Sequence, residues 1–305
     1  MFITGFGLGL NDVDADSYVL KAYDSKQDSI LHSFWTVGAF VGSAILAFTM
    51  TRFSSYKLGF VIILMIFIFV IIILFFAKRN WEKKKILLDE EIVKKHSVTE
   101  EEKNVNIFAM LKIKNMPSIL ICFGLVSAIS RSITVFIATI MVEQYGLSEI
   151  VAASIVGYFC FAGFVGRIVC GFISDRFTLK SILIFGIFAE ALIYMLLFFN
   201  VFTGLMLVFL MIVLGVFESI LIPFIYSYAK EAIETNALSA LFGYGNVFGL
   251  ICAVTASGIA TIIIQNISIR YIEIMYIILL GMLFLFLMRI KRKMQKISGL
   301  INDLR

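Results

Sequence analysis

Residues 59–76 read GFVIILMIFIFVIIILFF, a run without one charge and apolar on every face of a helix. The hydrocarbon core of a bilayer, about 30 Å thick, takes about 20 such residues as a helix. A membrane barrel strand would instead alternate apolar and polar positions over about ten residues. Working outward, seven more stretches of this kind fall near 30–51, 117–141, 150–173, 180–200, 204–229, 239–264 and 270–290, with the quoted run inside 57–77. The composition agrees: 61% hydrophobic and 15% charged residues with a mean hydropathy of +0.99, against roughly 45–50% apolar and about 25% charged in a soluble chain. Thirty-one Phe, two Pro and 21 Gly exclude a disordered or collagen-like chain. The expected fold is all-α: an integral membrane multi-helix bundle of about eight full transmembrane helices, plus a partial one in the half-length apolar stretch MFITGFGLGL at 1–10. That stretch lacks the basic flank of a secretory signal.

Basic residues set the orientation. Residues 78–114 carry ten Lys/Arg and Arg289–Arg305 six, with Arg176, Lys180 and Lys230 in two further turns, whereas the opposite turns hold Arg52, Lys57 and Arg270. By the positive-inside rule the long loop, the tail and the Arg176 turn are cytoplasmic, and Lys21 and Lys26 fall on the same side. The loop's ten basic residues are interleaved with seven acidic ones, Glu82, Asp89, Glu90, Glu91, Glu100, Glu101 and Glu102. That mixture describes a solvated, partly helical segment rather than a nucleic-acid surface. The stretch NVNIFAMLKIKNM after it reads as an interfacial segment.

Several chemistries find no support. Cys122, Cys160, Cys170 and Cys252 all lie inside apolar runs with no CxxC or Cys/His spacing, so they read as packing residues. No HExxH, GxSxG or Walker sequence occurs. The chain is not expected to be an enzyme, and no cofactor or metal is implied.

The most specific local sequence is GFVGRIVCGFISDRFTLK at 163–180. It resembles the cytoplasmic-loop signature of the major facilitator superfamily, GxxxDRxGRK, preceded by a Gly-Arg pair: Gly171, Asp175 and Arg176 match, Thr178 replaces the second glycine, and Lys180 keeps the final basic position. The resemblance implies two six-helix bundles joined by a cytoplasmic loop. Residues 1–78 would be a remnant of the first bundle, 79–115 the loop, 116–290 the second bundle and 291–305 a basic tail; about three and a half helices of the family fold would be unrepresented. It also implies gating roles for Arg167, Gly171, Asp175, Arg176 and Lys180. An Asp at one helix end accepts from the amino-terminal end of another, here near Gly243, and Arg167 or Arg176 pairs with Glu231 or Glu234. More faintly, GLGLNDVDADSYVL and LHSFWTVGAFVGSAI are similar to the fourth-to-fifth helix region of fucose and sodium-dependent glucose carriers, with Asp16 where those branches often have Asn.

Arg131, Glu190 and Glu218 fall near the centres of apolar runs. Each ionised group there costs roughly 2.5–3.5 kcal/mol on insertion scales, so the three must pair, protonate or face water. Arg131 reads as an anion- or carboxylate-binding group, and Glu218 or Glu190 as its partner or as a proton-carrying acid; the alternative is a structural ion pair between helices. Tyr244 and Asn246 are further solute contacts, while Gln265, Trp35, His32 and the Gly38/Gly42 pair read first as packing or interfacial residues. Pro223 predicts a kink. Together these features lead to the expectation of a secondary carrier in the lipid bilayer, moving a small polar or anionic solute by alternating access and coupled to protons or sodium. The rival expectation is a truncated, non-transporting remnant acting through partner binding. A homodimer or a separate amino-terminal half would complete the first bundle.

Overall fold

The computed structural model describes residues 25–96, 110–233 and 238–290, and the apolar runs within them are helices. In chain order these are α1 (Ser25–Phe53), α2 (Tyr56–His96), α3 (Met116–Glu143), α4 (Glu149–Ile173), α5 (Leu179–Phe198), α6 (Gly204–Ala232), α7 (Leu238–Asn266) and α8 (Tyr271–Arg289). Among the described residues, α2 over Tyr56–Ala77, α7 over Leu241–Asn266 and the whole of α3, α4, α5, α6 and α8 are long and apolar enough to span a bilayer; the apolar part of α1 is the shorter Val37–Phe53. The stretch 1–10, Asp16, Lys21, Glu234, residues 97–109 and the tail from 291 lie outside the described residues, as do the side chains of Lys26, His32, Trp35 and of α2 beyond Ala77. With 41 residues, α2 is about 60 Å long at 1.5 Å per residue, about twice a hydrocarbon core, so the helix continues through the charged sequence EKKKILLDEEIVKKH.

Local chemistry starts the helices where the sequence allows. Pro117 stands in the first turn of α3, where its missing N–H costs nothing, after Asn115 in the left-handed region at φ 68°. Ser148 caps α4 by accepting from Val151 N at 3.4 Å, with Glu149 favourably placed at the positive helix end. Thr178, standing where the family signature has glycine, is extended (φ −69°, ψ 141°) and caps α5, accepting from Ser181 N at 3.3 Å. No left-handed conformation is needed there, so a β-branched residue fits.

Helices α3 to α8 share one core. In lipid no hydrophobic force drives helix against helix, so close packing at small residues does the work. On α6, a Cβ at Gly215 would stand 2.3 Å from Phe159 O of α4, and on α4 a Cβ at Gly166 would stand 2.9 Å from Val216 O of α6. Those two backbones therefore touch. Gly124 of α3 and Gly245 and Gly249 of α7 bring that pair together around Phe248, Phe123 and Ser127. Helix α1 lies along α4, with Phe40 against Phe161 at 5.5 Å, and along the edge of α6. Helix α2 meets α1 through Gly59, with Leu58, Ile62 and Ile63 half-buried beside it, and most of the rest of its spanning surface is exposed.

Candidate functional site

Proline at 223 decides the middle of the bundle. It has no N–H to give to the carbonyl four residues back, which is Ser219 O. That orphaned acceptor takes Arg167 Nε of α4 at 2.7 Å. The Ser219 hydroxyl in turn donates to Gly163 O of α4 and to Val216 O, both at 3.0 Å. Arg167, only 4% exposed, thus sits at mid-membrane depth with Glu218 as its electrostatic neighbour, inward of the exposed Asp175 and Arg176. Ser130 of α3 and Cys160 of α4 border the same carboxyl group. Glu190 of α5 lies within electrostatic reach of Glu218; it is wholly buried and neither of its oxygens has a hydrogen-bond partner.

Arg131 is placed differently. It follows Ser130 by one residue, so it points about 100° round α3 from the Glu218 cluster. Gly124 and Ser127, seven and four residues before it, contact α7, which puts Arg131 on the stripe of α3 that borders α7. It is half-buried, and its Nε makes no hydrogen bond. Asn246 accepts from the Tyr226 hydroxyl at 2.5 Å, and Tyr226 stacks on Phe123 at 4.5 Å, fixing α7 to α6 and α3. Since Gly245 packs on Phe123, Asn246 lies about two turns from the depth of Arg131. Tyr244, on the same level as Asn246, is 37% exposed. The four solute candidates therefore occupy two levels, with Glu218 inside the bundle and Tyr244 at its surface.

At the signature turn, Arg176 N bonds Ile173 O at 2.9 Å and Ser174 Oγ donates to Gly171 O at 2.7 Å, with Gly171 buried. Lys180 Nζ reaches Ile290 O just past α8 at 3.4 Å, and Asn115 Nδ2 reaches Ala232 O of α6 at 3.4 Å. These contacts tie helix ends together at the end of the bundle that holds the turn.

The opposite end holds a polar cluster absent from the sequence-level candidates. Gln144 Nε2 and the Tyr145 hydroxyl both donate to Leu197 O at 3.1 Å, and the Gln144 and Asn200 amides are 2.9 Å apart. Turned so that its oxygen faces Arg270, the Asn200 amide accepts from Arg270 Nη2. Burial first, then the neighbouring Glu273, pushes the Tyr145 phenol up to about 12 against Arg270 and Gln144, so it stays a hydrogen-bond donor at neutral pH. Glu273, in the first turn of α8, lies beneath this layer with no exposure and no hydrogen-bond partner on either oxygen. The four cysteines are free thiols within helices, and no group of three His, Cys, Asp or Glu able to hold a metal occurs among the described residues.

A six-helix unit of long apolar helices, with ionic residues buried at mid-depth and helix ends tied around a charged turn, is the architecture of a polytopic membrane protein. The family model of the Major Facilitator Superfamily matches residues 119–300, and the chain belongs to that family of membrane transporters. Among solved structures it is similar to one described as a bacterial homologue of iron transporter ferroportin in outward-facing state, at 11% identity and a TM-score of 0.65, covering 93% of this chain and 69% of that one. That likeness concerns the fold. No curated protein matches the chain. It is a multi-pass integral membrane protein of a transporter family, not of an enzyme family, and neither comparison assigns it to a sugar-carrier branch.

Proposed function

We propose that the chain is a secondary carrier that moves a small polar or anionic solute by alternating access, with Arg131 as the solute-binding cation. The observation that carries this reading is an intramembrane guanidinium, half-buried, whose Nε has no hydrogen bond, on the α3 stripe bordering α7. Intramembrane ionisable groups are expensive, and by default they mark solute or ion pathways. Helices α3 to α8 act as the second bundle over 116–290, and α1 and α2 as the end of a first bundle over 1–78, rocking against it along α1 and α4. The loop at 79–115 and the tail at 291–305 are cytoplasmic by their Lys/Arg content. A second copy or a separate half docks against α7, whose outer row includes Tyr244, Val247, Ile251 and Val254.

Glu218 tunes the site from within: Arg167 balances it, and a proton on Glu190 or Glu218 is the coupling charge. Asn246 and Tyr244 contact the solute nearer the end bearing the Asp175 turn, where Gly171, Asp175, Arg176 and Lys180 form the gate. The test is thermal stabilisation of the purified full chain by acetate, succinate, inorganic phosphate and glucose. At least one anion is expected to raise the Tm of the unmodified protein and to leave Arg131→Ala unmoved, with Arg131→Lys in between. A full-sized shift in Arg131→Ala, with the variant folded as before, removes Arg131 from the site.

A further inference from the structure

The coupling residue Glu190 belongs to a second ionisable feature, whose other three members the solute site does not use. Glu190 and Tyr194 are four residues apart on α5, and Glu273 and Tyr276 three apart on α8, so each pair lies on one helix face about one turn apart. The two tyrosine rings meet between the helices with centroids 4.9 Å apart. All four side chains have zero exposure. Both oxygens of Glu190, both of Glu273 and both tyrosine hydroxyls lack hydrogen-bond partners. Because α5 runs from the Asp175 turn toward Asn200 and α8 starts beside Asn200, these residues form one file: Glu190 at mid-depth, then Tyr194, Tyr276 and Glu273. The polar layer of Gln144, Tyr145, Asn200 and Arg270 closes the file on the outside.

A file of this kind is costly for a part that only packs. Two buried carboxyl groups and two buried hydroxyls, none of them in a well-formed hydrogen bond, have little structural return, and phenylalanine and leucine would fill the space. Every member, however, is a group that takes up and releases a proton or a hydrogen bond.

We propose that Glu273, Tyr276, Tyr194 and Glu190 form a proton path through the interior of the six-helix bundle, leading from its Arg270 end to Glu218. The path rests on the carrier reading above and supplies its coupling proton by a route separate from the solute's. A proton from water near Arg270 and Tyr145 binds the Glu273 carboxylate. Side-chain rotation must first bring each oxygen within hydrogen-bond reach of the next, since none of the four is hydrogen-bonded to another; Glu273 then passes a proton to the Tyr276 oxygen as Tyr276 releases its own to Tyr194, and Tyr194 does the same toward the Glu190 carboxylate. One proton enters, one arrives, and each hydroxyl ends neutral. The groups facing the file are Arg270, Gln144 and Tyr145 at Glu273, Ser132 at Tyr276, and Glu218 with Arg167 behind it at Glu190. Ser132 donates its own proton to Ala128 O at 2.5 Å, leaving its oxygen free to orient the Tyr276 hydroxyl.

The experiment is infrared spectroscopy of the purified full chain on transfer from H2O to D2O, following the carbonyl bands of protonated carboxyl groups. Glu190→Gln and Glu273→Gln assign two of them. Tyr276→Phe, which keeps the ring packing, is expected to slow deuteration of the Glu190 band by about a hundredfold or more, in the 10²–10⁴ range that a positioned proton-transfer group contributes. The Glu273 band should exchange as fast as before. Tyr194→Phe should do the same, and Glu273→Gln should slow Glu190 alone. Unchanged exchange of the Glu190 band in both tyrosine variants, or the lack of any protonated band lost in Glu190→Gln, overturns the path. Arg131→Ala should leave all these rates unaltered, so a failed solute site and a failed proton path give different results.

Discussion

Arg167 illustrates how much one side chain carries in this bundle. It satisfies the carbonyl that Pro223 strands and neighbours the Glu218 carboxyl. Removing it leaves a buried acceptor unpaired, worth about 1–3 kcal/mol, and a buried acid without its counter-charge, where breaking a pair costs about 3–5 kcal/mol. Arg167→Met should therefore lower stability by several kcal/mol in a detergent unfolding titration. In a Pro223→Ala background the helix N–H returns to Ser219 O, and the loss should shrink by about 1–3 kcal/mol, the share belonging to the carbonyl. A double-mutant cycle measures that coupling; a cycle that closes to within about 0.5 kcal/mol shows the two sites to be independent. The proline and the serine four residues before it are plain in the sequence, as is the strandedness of that carbonyl. Which side chain fills the gap is a matter of how α4 crosses α6, and the loop signature draws Arg167 toward the turn instead. Glu273 is hidden for a similar reason. Nothing in the sequence around it, three residues past Arg270 and in the first turn of α8, marks it as buried; that comes from the packing of α8 against α3 and α5.

At the level of elements, two kinds of residue set the packing, and they differ in how visible they are. Long apolar runs define the helices, and the caps follow from residue type: Thr178 and Ser148 each bond the N–H three residues on. Thr178→Ala should cost about 1 kcal/mol by loss of the cap, and Thr178→Gly, which restores the family residue, only a few tenths; unfolding midpoints of the two variants give the comparison. Crossing points are less visible, because a glycine in an apolar run looks alike whether it touches a backbone or lipid. Gly215 and Gly258 separate the cases. A Cβ at Gly215 would lie 2.3 Å from a carbonyl oxygen of α4, while at Gly258 nothing lies within 4 Å. Gly215→Ala should destabilise by about 1–3 kcal/mol through overpacking, since backbone cannot yield as a side chain can. Gly258→Ala should raise stability slightly through its better helix propensity, by up to about 1 kcal/mol. Equal midpoints for the two would mean that α4 and α6 do not meet backbone to backbone.

For the molecule as a whole, the contact of α1 with α4 bears on whether the two groups of helices move. Within α3 to α8 the helices interlock around a shared core, and helix ends are tied at Lys180 and Asn115. Helix α1 meets that unit along small residues, with Ser43 and Phe40 over Gly157. Such a seam allows small sliding of packed helices, the kind of motion by which domains shear. A Cβ at Gly157 would lie 4.0 Å from Ser43 Oγ, the place a cysteine sulfur at 43 would take, so the two positions face each other across the seam and a small approach of the helices lets a cysteine pair there bridge. The Ser43→Cys/Gly157→Cys protein should form the bridge under mild oxidant and then lose exchange of any probe solute that stabilises it, by about tenfold or more if rocking limits turnover. Reductant should restore exchange, and each single variant should behave as its parent: Cys122, Cys160 and Cys170 are buried away from reagent, and the half-buried Cys252 is replaced by serine in every protein compared. Full exchange with the bridge intact on a denaturing gel would mean that α1 and α4 travel together. The moving seam would then lie elsewhere, along the exposed side of α7.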